Sequence, residues 1–122
     1  MSASMDINTQ YVLNFSEIDH TLHCCFSGKL DGSVCTEIEH VLDRRITEFR
    51  KNRAEVRLVF DLAEVTFISA AFLRVCLMHC KVLGKNSFSV MNVSEEIYKV
   101  FHISSLVELM NIANADTIPA VA

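Results

Sequence analysis

Along the chain the spacing of apolar positions changes several times, and each change marks an element. Residues 11–15 (YVLNF) and 20–27 (HTLHCCFS) read as two strands joined by a polar turn region. In the second, Leu22, Cys24 and Phe26 alternate with His23, Cys25 and Ser27, the period of a half-buried strand. Gly28 and Gly32 bracket Lys29-Leu30-Asp31 and mark the passage into a helix. There Val34, Ile38, Val41, Leu42, Ile46 and Phe49 form one apolar stripe of helical period. Ser33 or Asp31 serves as its N-cap, with Glu37 and Glu39 near the positive end of the helix dipole. Residues 56–62 (VRLVFDL) are β-branched and aromatic, a central strand that closes at Ala63-Glu64.

Residues 70–83 (AAFLRVCLMHCKVL) predict a second helix, with Ser69 as N-cap and Gly84 as C-cap. Only Arg74, His79 and Lys81 are polar in it, so its outer side is buried by the fold or by another molecule. Residues 87–93 alternate as a strand. Ser94 then caps a short helix with Glu95 and Glu96 in its first turn and Ile97, Val100 and Phe101 on its buried side. Ser105 and Glu108 have capping-box spacing for a last helical turn through Met110. The order β-β-α-β-α-β-α gives an α/β fold with a mixed sheet of four to five strands and helices packed on it. Its first two strands are antiparallel and the later ones parallel through crossovers. Residues 1–10 are expected to be flexible, 11–112 to form a single domain, and 113–122 to be weakly patterned, with room for a short strand within 111–122.

Composition supports one compact domain. The 122 residues suffice for one core, and 51% hydrophobic content excludes disorder. Arg74, His79 and Lys81 interrupt the longest apolar stretch, which excludes a membrane span. The formal net charge of −4 argues against a duplex nucleic-acid binder. Arg44, Arg45, Arg50, Lys51, Arg53 and Arg57 cluster, but Glu37, Glu39, Asp43 and Glu48 share the helix, and the cluster reads as its solvated C-terminal end. No signal peptide is evident in MSASMDINTQ.

Five cysteines, none in a C-x-x-C pair, point to buried thiols in a reducing, cytoplasmic setting. Cys76, His79 and Cys80 lie close in sequence, but no second ligand pair has zinc-like spacing, so no metal is expected. Phosphate-cradling glycine loops and the G-x-S-x-G elbow are absent, and the five histidines are scattered. The reading is not an enzyme, and no cofactor is implied.

The stretch DLAEVTFISAAFLRVCLMHCKVLG, residues 61–84, resembles the STAS domain of anti-sigma factor antagonists and related bacterial partner-switching proteins. That family reads approximately D-L-x-x-V-x-F/Y-I/M-D/S-S-S/A-G-L-x-x-L here. Asp61-Leu62, Val65-Thr66-Phe67-Ile68 and Leu73 match it, and Ser69 fills the Asp/Ser position. Ser27-Gly28-Lys29-Leu30-Asp31 looks like the family's T-G-E-L-D, and residues 82–106 look like its ending. The set covers residues 11 to 112 in the family's order.

The resemblance implies protein–protein binding: the partner is an anti-sigma factor of the serine-kinase type, or a related regulator. Asp31, Ser69, Ala70, Ala71, Phe72 and Arg74 then line the contact. The family's phosphorylated serine falls at Ala70, which has no hydroxyl, so that switch is absent; Ser69 is either an alternative acceptor or simply a cap. Phe72 replaces the family glycine and either fills the core or anchors a partner. Ser105 replaces a second glycine and Glu95 the proline of the third helix. Arg74 and Lys81 share a helix face that either meets an acidic partner or is merely solvated. A structural subunit, as a homodimer or part of a larger signalling or transport assembly, is the alternative. A ligand carrier or small enzyme with an internal cavity is a third.

Overall fold

The computed structural model describes residues 6–7, 10–16, 18–52, 55–104 and 110–114. The elements are β1 (Asp6–Ile7), β2 (Tyr11–Ser16), β3 (Thr21–Leu30), α1 (Gly32–Asn52), β4 (Arg57–Ile68), α2 (Ala70–Leu83), β5 (Phe88–Val93), α3 (Glu95–Ile103) and β6 (Asn111–Asn114). They form one sheet in the order β1-β2-β3-β4-β5-β6. The β1–β2 and β2–β3 pairs are antiparallel, and β3 through β6 run parallel. The expected mixed sheet and element order are present. At its margins one strand is unexpected and another fills the room left for it. Among the described residues the sheet has six strands rather than four to five, because the two-residue β1 comes from a segment without alternation, inside the stretch expected to be flexible. Strand β6 occupies part of the weakly patterned C-terminal region. The turn expected over residues 105–110 falls mostly outside the described residues.

Alternation builds the core. Leu22, Cys24 and Phe26 of β3 face the same way as Leu58, Phe60 and Leu62 of β4, and all are buried. Helix α1 covers β2 on this face: the Phe15 and Phe49 rings stack at 4.0 Å, and the Tyr11 hydroxyl donates to the Glu37 carboxylate (3.1 Å). Helix α2 sends Phe72, Val75, Cys76, His79 and Cys80 into the same core, and α3 adds Ile97 and Phe101. Arg45 was expected on the solvated helix end. It is instead buried, its guanidinium 5.2 Å from the Phe49 ring centre, where the planar cation rests on the aromatic face. On the opposite sheet face Asn14, His23, Cys25 and Met91 are exposed.

Strand β4 runs six residues past its expected end at Leu62. Between the pairs Cys25↔Asp61 and Leu30↔Ile68, β3 advances five residues and β4 seven, so β4 carries two bulges. Burial in β4 therefore shifts from every second residue to every third, at Leu62, Val65 and Ile68. The Asp61 carboxylate holds the first bulge by accepting from the Ala63 N–H (3.0 Å) and from the Asn92 side-chain amide (3.2 Å). Asn92 itself sits at φ 57°, a left-handed conformation that asparagine tolerates.

Candidate functional site

The carboxyl ends of β3 and β4 lie side by side and each feeds directly into a helix. Asp31 leaves β3 and caps α1: its carboxylate accepts from the Val34 N–H (3.1 Å) and the Ser33 hydroxyl (3.0 Å). Asp31 rather than Ser33 is the cap. These two donors hold its carboxyl below the ordinary value of 3.8, the Val34 amide contributing most. Ser69 leaves β4 and caps α2, its hydroxyl accepting from the Phe72 N–H (3.4 Å).

Two contacts tie these caps together. The Ser69 N–H donates to the Leu30 carbonyl (3.1 Å), and the Cys35 thiol lies 3.9 Å from the Ser69 hydroxyl while also reaching the Leu30 carbonyl (3.6 Å). Burial pushes the Cys35 thiol up from its ordinary value, so it stays protonated and acts as a packing group. Five of the six expected contact residues meet at this corner. Asp31, Ala70 and Arg74 are exposed, and Ser69 and Ala71 are half-buried. Ala70 is the first residue of α2, and its side chain is a methyl group with no hydroxyl.

Phe72 is corrected: it is not a surface anchor. It is 0% exposed, and its ring centre lies 5.5 Å from that of Phe26 and 5.7 Å from that of Phe60. One residue into the helix from Ala71, its direction is inward, and an aromatic cluster receives it. The exposed ring at this end is Phe67, 48% accessible and paired in register with the exposed Lys29. In the sequence Phe67 figures only as part of the matched Val65-Thr66-Phe67-Ile68 motif, and it is not among the expected contact residues. The signal lay in the strand's last turnless stretch, where three apolar residues in four cannot all face one side.

The outward face of α2 continues the corner. Met78 and Val82 are 47% and 60% exposed, with Arg74 and Lys81 also facing solvent. His79, by contrast, points inward, and its Nδ1–H donates to the Val75 carbonyl (2.8 Å). Beside this face a groove runs between α1 and α2, lined by Asp43, Ile46, Thr47 and Arg50 against Met78 and Val82. All five cysteines are free thiols, and no group of three or more potential metal ligands occurs among the described residues.

No family model matches the chain. It is 27% identical over 112 residues to the putative anti-sigma factor antagonist BtrV of Bordetella bronchiseptica, an alignment covering 90% of this chain and 92% of that protein. Its fold matches the structure of the anti-sigma factor antagonist SpoIIAA in its unphosphorylated form, with a TM-score of 0.65. That match covers 85% of this chain and 88% of the other at 19% identity. The architecture is thus the STAS fold that the motif set predicted, and the sequence relative carries the corresponding name.

Proposed function

We propose that this chain is a regulatory binding module that docks an anti-sigma factor, or a related serine-kinase-type regulator, through the corner formed by Asp31, Ser69, Ala70, Ala71 and Arg74. The observation that carries this reading is that Asp31 at the end of β3 is brought beside Ser69, Ala70, Ala71 and Arg74 at the start of α2, on one solvent-facing corner of a fold shared with an anti-sigma factor antagonist. The relative's name supports the partner class. Phe72 supports the corner from beneath, and Phe67 extends it outward.

Ala70 sets the proposed mode of control. A phosphate on the first residue of α2 would add nearly two negative charges. The helix would accommodate them, since its free N–H groups and dipole favour an anion, but a partner surface fitted to a neutral corner would not. With a methyl group at this position the module stays in its binding-competent form. Ser69 is the cap, and its hydroxyl is held at the helix start.

The test is a calorimetric titration of the anti-sigma factor encoded in the same genome with wild type, Ala70→Asp and Arg74→Glu. Ala70→Asp should fold normally, an acid being welcome at a helix start, yet lose on the order of a hundredfold in affinity from an uncompensated interfacial charge. Equal binding by wild type and both variants would place the interface elsewhere.

One observation favours a second reading, a self-associating subunit: the exposed Met78 and Val82 on one face of α2. Sedimentation velocity of the chain alone would support it through a dimer that Val82→Glu dissociates.

A further inference from the structure

The end of β3, which carries the Asp31 half of the docking corner, is held by a residue just ahead of β2. Strand β2 begins at Tyr11, opposite Phe26, so residues 27–30 of β3 run beyond it. Gln10 continues the pairing by other means. Its backbone carbonyl accepts from the Ser27 N–H (2.9 Å). Its side-chain Nε2 then donates to two carbonyls, that of Ser27 (3.2 Å) and that of Lys29 (2.8 Å). An amide nitrogen has two protons, so one side chain serves both acceptors.

Between the two bridged carbonyls the chain arches at Gly28, whose φ is +75°. A Cβ at Gly28 would lie 3.3 Å from the Gln10 Nε2, so the glycine supplies both the left-handed turn and the room for the amide. On the far side of β3 the second bulge of β4 falls at the same level, between Gly28↔Val65 and Lys29↔Phe67. The regular ladder is interrupted there, and the clamp comes from Gln10. One residue beyond the clamped Lys29 carbonyl, the Leu30 carbonyl receives the Ser69 N–H that joins the two halves of the corner.

We infer that Gln10 is a positioning residue: its side-chain amide fixes the end of β3 and so sets Asp31 against the start of α2. The clamp rests on geometry alone, and its consequence for binding rests on the docking reading above.

Gln10→Glu tests it, because the side chain keeps its length and volume while the two-proton donor becomes a carboxylate facing two carbonyl oxygens. In residue-resolved hydrogen exchange the Ser69 amide should exchange roughly tenfold faster, the scale of one lost hydrogen bond. The amides of Phe60 and Val90, in the sheet interior, should keep their wild-type rates. Gly28→Ala, which crowds the same amide from the other side, should loosen the same proton. Affinity for the anti-sigma factor should fall by a similar factor in both variants. An unchanged Ser69 amide, or uniform acceleration across the sheet, overturns the clamp. A responsive Ser69 amide in a protein whose wild type binds no anti-sigma factor upholds the clamp and overturns the docking reading.

Discussion

Two phenylalanines five positions apart, Phe67 and Phe72, lie on opposite sides of the surface, one half exposed and one in the core. Phe72 is enclosed by Phe26 and Phe60, so Phe72→Ala should cost about 3–5 kcal/mol in urea denaturation, as removal of a buried ring does. Phe67 is half exposed, and Phe67→Ala should change stability by no more than about 0.5 kcal/mol while weakening partner binding. The opposite pattern would move the recognition surface away from this end. Asp31 gives a pH signature. Its carboxyl titrates lower in the folded chain than in the unfolded one because the charged form accepts two hydrogen bonds. The stability it contributes is therefore complete above its unfolded value near 3.8 and disappears as pH falls through the lower folded value. Asp31→Asn, which keeps a capping oxygen without the charge, should flatten that part of the acid stability curve. A variant as acid-sensitive there as wild type would show that the cap does not titrate.

At the scale of elements, helices were more legible than strands. Helix α1 was readable from its apolar stripe and α2 from its two caps, because helical period and cap chemistry are local properties. In sequence, strand β4 closes at the Ala63-Glu64 pair, where burial in the fold also leaves its two-residue period. The break is the first of two bulges, and bulges depend on the neighbouring strand, which sequence spacing does not reveal. Helix α2 shows the same limit on a smaller scale. Its composition, apolar nearly all round, does not say which residues face outward, and the fold buries His79 while leaving Met78 and Val82 exposed. His79 is accommodated inside because its ring donates to the Val75 carbonyl one turn back. The cap at Ser69 is testable as an element property: Ser69→Ala should destabilise the protein by about 1 kcal/mol, and Ser69→Asp, which retains a capping oxygen, should not. Loss of stability in both would mean that the contact with Cys35 matters more than the cap.

For the whole molecule, the parallel arrangement of β3 and β4 brings their carboxyl ends together, and the candidate site follows from that topology. Ligand-facing groups in open α/β sheets collect at such ends. The matched motifs place Asp31, Ser69, Ala70 and Ala71 at junctions of strand and helix and Arg74 a turn further into α2, which is why five of the six expected contact residues share this end. Gln10 could not, lying in a segment without periodicity, and its role appears only once β3 is seen to outrun β2. The proposal for the whole chain is a binding module that the usual phosphorylation does not release. Its most direct test is the affinity of the chain for the proposed anti-sigma factor partner, measured by calorimetry before and after incubation of the pair with magnesium and ATP, with intact mass recorded alongside. The account predicts a complex of unchanged affinity and a chain of unchanged mass. A complex that dissociates as this chain gains a phosphate, or no complex at all, would contradict it.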